Sequence, residues 1–176
     1  MKNIIDTDIK DVLLIEPLVY NDERGYFFES YNKSLLSKYN LNINFVQDNE
    51  SKSSFGVLRG IHFQNSPFEQ SKLIRVIKGK IQDIAIDLRP SSITYKKYVS
   101  VILDDKNKKQ LFIPKGFGHA FLTLSDTAII SYKVDNFYNK SADAGIKYDD
   151  PSINISWELS KNQIILSDKD NKLPYL

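Results

Sequence analysis

The chain has 176 residues, of which 41% are hydrophobic and 26% charged, a balance typical of one globular domain, here expected over residues 1–176. It contains no cysteine, which excludes a disulfide framework, a thiolate metal site and a cysteine nucleophile. The net charge is only +2 without a dense basic block, and the sequence has neither a membrane-length apolar run nor a leader-like start, so we expect a cytoplasmic protein that binds neither nucleic acid nor membrane.

Taken in chain order, short runs alternate apolar and polar residues, the pattern of half-buried strands. They predict strands at 12–17, 26–31, 57–63, 98–103, 110–114, 120–124 and 128–134, and a hairpin over 72–89 that turns at Lys78-Gly79-Lys80. Helices are few: one over 33–39 with Asn32 as its N-cap, and a short one after Ser160. Many short strands separated by turn residues predict an all-β jelly-roll sandwich or barrel.

Arginine is scarce, because only four of the 24 basic residues are arginines. Two of them, Arg24 and Arg59, lie in turn-like segments beside Gly25 and Gly60. The planar guanidinium group suits bidentate recognition of phosphate or carboxylate, and the structural alternative is a surface ion pair. Arg24 and Arg59 are therefore candidate ligand-binding residues.

The chain has two histidines, His62 in GVLRGIHFQ and His119 in IPKGFGHAF, both among glycines at apparent strand ends. Two imidazoles at one barrel mouth would form a site, although each histidine alone also suits a structural role. Neither lies in an HxH pair, so we predict no metal site. Lys72, Tyr132 and Asp170 are candidate acids or bases whose structural alternatives are a solvated cation, a core aromatic and a turn residue.

Seven segments, in their order and spacing, resemble the nucleotide-sugar 3,5-epimerases, the family of dTDP-4-dehydrorhamnose 3,5-epimerase. The segments are DERGYFFESYN at 22–32, FVQDNESKS at 45–53, GVLRGIHFQ at 56–64, KLIRVIKGKIQDIAIDLR at 72–89, QLFIPKGFGHAFLTLSD at 110–126, YKVDNFY at 132–138 and LSDKD at 166–170. The resemblance implies a cupin-type jelly roll that works as a homodimer without metal or cofactor. It implies a nucleoside-diphosphate 4-keto-6-deoxy sugar as substrate.

The resemblance also implies four catalytic roles. His62 would remove the proton next to the ketone, and Asp170 would orient its imidazole. Lys72 would place an ammonium near the ketone oxygen, where negative charge develops. Tyr132 would donate a proton from the opposite face of the sugar.

Binding roles follow from the same resemblance. Arg59 would contact the pyrophosphate and sugar, and Arg24 would reach the site from the partner subunit. The remaining implied substrate contacts are Glu29, Gln47 and Asn49 to the nucleotide, Tyr138 on its base, His119 to the sugar, and Asp143 where the family usually has glutamate. Two further departures are Ala120 in place of glycine, which we expect to reshape the sugar pocket, and Tyr148 in place of tryptophan.

Several alternatives stay open at this stage. The chain fits an epimerase acting at C3, C5 or both, including a single-site enzyme for a GDP-linked 4-keto hexose or heptose. A non-catalytic sugar-binding jelly roll and a 3,4-ketoisomerase are further alternatives. A binder has no need for His62, Asp170, Lys72 and Tyr132 together, which favours an epimerase supplying a deoxysugar for a surface polysaccharide such as lipopolysaccharide or capsule.

Overall fold

A computed structural model describes residues 3–176. The predicted domain begins at Met1, so its first two residues, Met1 and Lys2, lie outside the described residues. The strands are β1 (Asn3–Asp6), β2 (Leu13–Glu16), β3 (Tyr20–Asp22), β4 (Gly25–Phe27), β5 (Gln47–Ser54), β6 (Leu58–Gln64), β7 (Lys72–Lys78), β8 (Lys80–Asp87), β9 (Tyr98–Asp104), β10 (Gln110–Ile113), β11 (Phe117–Thr123), β12 (Thr127–Val134) and β13 (Asp143–Gly145). The helices are α1 (Lys33–Ser37), α2 (Asp168–Asn171) and a 3₁₀ turn (Lys161–Gln163).

The strands form two main antiparallel sheets that pack face to face. The first has the order β1-β2-β10-β7-β12-β5, and the second has the order β13-β6-β11-β8-β9. Strands β3 and β4 make a separate hairpin. The predicted all-β jelly-roll sandwich with short helices is confirmed.

The largest core lies between the two sheets. Ile74, Val76 and Ile130 of the first sheet meet Phe117 and Phe121 of the second. A second cluster lies on the outer face of the second sheet, where the segment 146–155 covers Ile84 and Ile86. Because each strand alternates its side chains between the two faces, the chain buries an inner and an outer apolar layer at once.

Most predicted elements are present, including the hairpin around Gly79 and the Asn32 cap, whose Oδ1 accepts from the Ser34 and Leu35 amides at 3.0 and 3.3 Å. The predicted strand 26–31 was wrong beyond Phe27, where the chain leaves the hairpin and enters α1. Helix α1 ends at Ser37, and the short helix after Ser160 is the 3₁₀ turn. Strand β5 was missed because QDNESKSS contains no apolar residue to alternate.

Among residues 3–176, no helix has the length and apolar character needed to cross a bilayer.

Candidate active site

An irregularity in the second sheet turns two basic side chains toward the space between the sheets. His62 of β6 pairs directly with His119 of β11, and Arg59 pairs with Phe121, so two residues of β6 lie opposite one residue of β11 between these pairs. Directly paired residues of antiparallel strands face the same side. The extra residue of this bulge therefore places Arg59 and His62 on the face that carries His119 and Phe121.

The bulge depends on Gly60. Its φ is +129°, a conformation that side chains rarely adopt, and a Cβ there would lie 2.5 Å from the Cβ of Ala120. Ala120 is fully buried in the outer cluster with Ile61 and Ile84. The expectation that its methyl reshapes the sugar pocket was wrong, because Ala120 faces away from the His119 side. Tyr148 is likewise a core residue, whose carbonyl accepts from the Trp157 indole at 3.0 Å.

His62 and Asp170 form a close pair at the pocket. The His62 Nε2 to Asp170 Oδ1 distance is 2.5 Å, and the imidazole is 32% exposed whereas the carboxylate is only 4% exposed. Ser167 caps α2 by accepting from the Asp170 amide at 3.1 Å. Burial opposes ionisation of Asp170, but the hydrogen bonds with His62 and Ser167 and the nearby Lys169 charge outweigh it and lower its pKa. Asp170 therefore stays charged and holds an imidazole that is open to a ligand.

Lys72 lies at the start of β7 on the inner face, two residues before Ile74. The residue is 9% exposed, and its ammonium hydrogen-bonds to none of residues 3–176. Burial lowers its pKa from 10.5 to about 8, although the charges of Asp83 and Asp143 oppose this effect. The pocket thus contains a cation at neutral pH whose donors have no acceptor in the described part of the chain.

His119 lies deeper and forms a second histidine–aspartate pair. Its Nε2 lies 2.7 Å from Oδ1 of Asp83, and the two side chains are 9% and 0% exposed. Burial lowers the pKa of His119, the charges of Lys72 and His62 add to this effect, and Asp83 opposes it. Asp83 was missed from the sequence, although a carboxylate between the inward-facing apolar residues Ile81 and Ala85 of β8 was a usable signal.

Tyr132 faces this group from the first sheet. It pairs with Ile74 on one side and with Asn49 on the other. Burial raises its pKa, which the Arg59 charge opposes, and its hydroxyl has no hydrogen-bond partner among the described residues. Gln47 lies on the same face of β5 as Asn49 and donates to its Oδ1 at 2.8 Å. Polar side chains of the first sheet therefore face His62 of the second sheet, which is paired with Asp170 of α2.

Arg59 is held at the rim. Its Nε donates to Ser53 Oγ at 3.0 Å, and a terminal nitrogen donates to the Lys52 carbonyl at 3.1 Å. These two bonds leave further guanidinium donors for an anionic ligand.

The pocket mouth brings together Tyr138 and Asp143. The Tyr138 hydroxyl donates to Asp143 Oδ2 at 3.3 Å, and Lys169 forms an ion pair with the same oxygen at 2.5 Å. Gln64, which the sequence reasoning did not select, accepts from the Asn139 amide at 2.6 Å and donates to the Phe137 carbonyl at 3.2 Å. Gln64 thereby holds the loop that presents the 58% exposed Tyr138.

Two predicted contacts do not join this group within one chain. Arg24 lies in the β3–β4 hairpin with its side chain 82% exposed, and among residues 3–176 that side chain bonds only to Asp22, at 2.6 Å. Glu29 is exposed and accepts from Asn32 at 3.1 Å. The other predicted residues line the space between the sheets or its mouth.

A family model described as dTDP-4-dehydrorhamnose 3,5-epimerase matches residues 6–176. The chain belongs to this family. The dTDP-4-dehydrorhamnose 3,5-epimerase of Shigella flexneri is 49% identical over 96% of this chain and 92% of its own length. The resemblance seen in the sequence, and the epimerase class that it implies, are thereby confirmed.

Solved structures agree with the family assignment. The dTDP-6-deoxy-D-glucose-3,5-epimerase of Legionella pneumophila, in complex with dTDP-4-keto-L-rhamnose, is 42% identical, has a TM-score of 0.95 and covers 98% of this chain and 92% of its own. The Bacillus anthracis dTDP-4-dehydrorhamnose 3,5-epimerase with TDP and PPi bound is 44% identical, with a TM-score of 0.95 over 99% of both chains. The match to this epimerase family therefore spans the whole fold.

Chemically, the site combines an imidazole paired with a carboxylate, a buried ammonium and a phenol hydroxyl. Among residues 3–176, no three histidine, aspartate or glutamate side chains group in a way that could hold a metal ion.

Proposed function

We propose that this chain epimerises a dTDP-linked 4-keto-6-deoxy sugar at the carbons next to the ketone. The observation that carries the proposal is the arrangement of His62, paired with Asp170, opposite a Tyr132 hydroxyl, with the unbonded Lys72 ammonium in the same pocket. Proton removal next to a carbonyl needs a base, a group that stabilises the enolate, and an acid. Each of these groups is available.

The first step is loss of the α-proton. A ketone at C4 acidifies the protons on C3 and C5, and the neutral His62 imidazole takes one of them. The electrons of the C–H bond move into a carbon–carbon double bond, and the carbonyl electrons move to O4. Lys72 donates to this developing oxyanion, and Asp170 stabilises the imidazolium that forms.

The second step returns a proton to the opposite face. Burial raises the pKa of Tyr132, so its hydroxyl is protonated at neutral pH. Transfer of this proton to the enolate carbon restores the ketone with inverted configuration. The phenolate then takes a proton from water, and the His62 imidazolium returns its proton to water. The nearby positive charge of Arg59 opposes the rise in the pKa of Tyr132 and so stabilises the phenolate.

Substrate binding is assigned to the polar groups around the dyad. Arg59 binds the pyrophosphate, Gln47 and Asn49 bind the nucleotide, and His119 contacts the sugar from the pocket floor. Tyr138 packs on the base, with Asp143 beside it at the mouth. The Legionella relative, which holds a dTDP-linked keto sugar, supports thymidine over guanosine as the base.

A homodimer completes this proposal. The β3–β4 hairpin exposes Tyr20, Tyr26 and Phe27 at 60%, 57% and 67%, and carries Arg24 away from its own site. Monomeric proteins rarely expose contiguous aromatic surface of this kind. We assign this hairpin to the partner subunit's pocket, where Arg24 and Glu29 contact the nucleotide.

Mixing two inactive variants tests this assignment. A heterodimer of His62→Asn and Arg24→Ala subunits regains one intact site if Arg24 acts across the interface. If Arg24 acts within its own subunit, both sites of the heterodimer stay defective. Activity that fails to recover on mixing, with sedimentation showing that heterodimers form, contradicts the shared site.

Incubation with dTDP- and GDP-linked 4-keto sugars in D₂O tests the function itself. NMR then locates each carbon that gains deuterium and reports its configuration. We expect exchange and inversion at C3 and C5 of the dTDP sugar. Exchange at one carbon identifies the single-site enzyme, and binding without exchange identifies a sugar-binding protein. In the cell, we assign the product to cytoplasmic supply of a deoxysugar for a surface polysaccharide.

A further inference from the structure

The two members of the His62–Asp170 dyad come from distant parts of the chain, and both are attached to the same segment, residues 143–150. On one side of this segment, Gly145 of β13 pairs directly with His62. Next to it, Ile61 and Ile146 exchange backbone hydrogen bonds of 3.1 and 3.0 Å. Residues 143–150 therefore form a platform for the strand that carries the base.

The other side of the platform holds residues 172–176, which follow α2. The Lys147 amide donates to the Pro174 carbonyl at 2.8 Å. Leu173 packs so closely on Gly145 that a Cβ there would lie 2.8 Å from its methyl carbons. Finally, the Leu176 amide donates to Oδ2 of Asp150 at 2.6 Å. Asp150 itself is 2% exposed.

Helix α2 needs these contacts, because it has only four residues, Asp168–Asn171. An isolated helix shorter than about 12 residues is marginal in water, so the side-chain cap from Ser167 cannot hold α2 in place alone. The flanking residues must do so. Of the contacts that bind 172–176 to the platform, the one to Asp150 is made by a buried carboxylate, which makes it a strong, charge-assisted hydrogen bond.

We propose that Asp150 is a positioning residue for catalysis: it anchors residues 172–176 on the platform and thereby holds Asp170 against His62. This inference rests on the proposed catalytic role of the dyad. Asp150 itself has no contact with the substrate pocket groups described above. Its remaining carboxylate oxygen is occupied by the amide and hydroxyl of Ser152, at 2.8 and 2.6 Å.

Removing a single donor tests the anchor. Leu176→Pro deletes the amide hydrogen that Asp150 accepts, whereas the matched control Leu176→Ala shortens the same 46% exposed side chain and keeps the amide. A displacement of about 1 Å in a reacting group costs about 100-fold in rate. We expect kcat of Leu176→Pro to fall by about 10- to 100-fold with dTDP affinity unchanged, and Leu176→Ala to match wild type.

A cycle with Asp170→Asn separates positioning from general loss of structure. If the anchor acts through Asp170, Leu176→Pro causes no further loss of kcat in the Asp170→Asn background. An equal loss in both backgrounds overturns the proposal. Ser152→Ala, which removes the hydroxyl bond to the other oxygen of Asp150 and leaves the Leu176 bond in place, serves as the second variant and should keep wild-type kcat.

A measurement without turnover separates this inference from the proposed function. Amide hydrogen exchange across 167–173 should accelerate at least tenfold in Leu176→Pro and stay at the wild-type rate in Leu176→Ala. Unchanged exchange in Leu176→Pro rejects the anchor even if the enzyme is an epimerase. If amide exchange accelerates in Leu176→Pro but the wild-type protein introduces no deuterium into the sugar, the anchor is retained and the proposed function is rejected.

Discussion

Replacing Lys72 by methionine should inactivate the enzyme and make the fold more stable at neutral pH. Burial lowers the pKa of Lys72 from 10.5 to about 8, so the folded protein binds this proton less tightly than the unfolded chain does. The charged lysine therefore reduces the free energy of unfolding at pH values below about 8, and this cost disappears as the pH rises to 10.5. Methionine has a similar shape without the charge.

The pKa change sets the magnitude. Each pKa unit corresponds to about 1.4 kcal/mol, so a lowering from 10.5 to about 8 corresponds to about 3 kcal/mol. This figure already includes the attraction of Asp83 and Asp143, which opposes the burial effect. In a chain of 176 residues, 1 kcal/mol moves Tm by about 2–4 °C. We therefore expect Lys72→Met to raise Tm at pH 7 by about 6–12 °C.

Urea unfolding of wild type and variant at pH 7 and pH 10 measures the effect. The stability gain of Lys72→Met should be large at pH 7 and small at pH 10, where the unfolded wild-type lysine also begins to lose its proton. Lys78→Met on the exposed end of the same strand is the control and should show no pH-dependent difference. A gain that is absent at pH 7, or that persists unchanged at pH 10, refutes the reasoning.

The other predictions follow from the same geometry. His62→Asn should abolish deuterium exchange at every carbon while calorimetry finds dTDP affinity within about threefold of wild type, and residual exchange would remove His62 as the base. Tyr132→Phe should keep deuterium exchange but lose most inversion. A ratio of exchange to inversion that NMR finds unchanged rejects Tyr132 as the acid. Ala120→Gly should cost about 1–2 kcal/mol in urea unfolding and leave substrate preference unchanged, because the methyl fills the outer core. Activity should survive exhaustive EDTA treatment, since Lys72 serves the enolate; loss restored by a divalent ion contradicts this.

Where side chains repeat with strand periodicity, the sequence was sufficient to predict the fold. The run 72–89 alternates apolar residues on both sides of Gly79, and the structure has β7 and β8 there. Strand β5 shows the limit of this method, because its inner face carries Gln47, Asn49 and Ser51 toward the site instead of apolar side chains toward a core. A strand that serves a polar pocket loses the apolar alternation that would reveal it.

The candidate site depended on long-range geometry that periodicity does not contain. His62 and Asp170 are separated by 108 residues, and their 2.5 Å contact exists only because α2 packs next to β6. That Arg59 and His62 share a face was also invisible, since it depends on a bulge of one residue at Gly60 of β6. The resemblance supplied the dyad, whereas the structure supplied Asp83 and corrected Ala120.

The two histidine–aspartate pairs show why residue type alone does not assign chemistry. His62–Asp170 and His119–Asp83 have the same groups at 2.5 and 2.7 Å, yet one imidazole is 32% exposed and the other only 9%. Burial and the nearby Lys72 charge lower the pKa of His119, so it stays neutral and suits hydrogen bonding to a sugar. His62 reaches the open pocket, where its imidazole can accept a proton from a substrate carbon. The imidazolium that forms lies beside the buried Asp170 carboxylate. This difference in exposure supports the proposed roles of His62 as the base and of His119 as part of the binding floor.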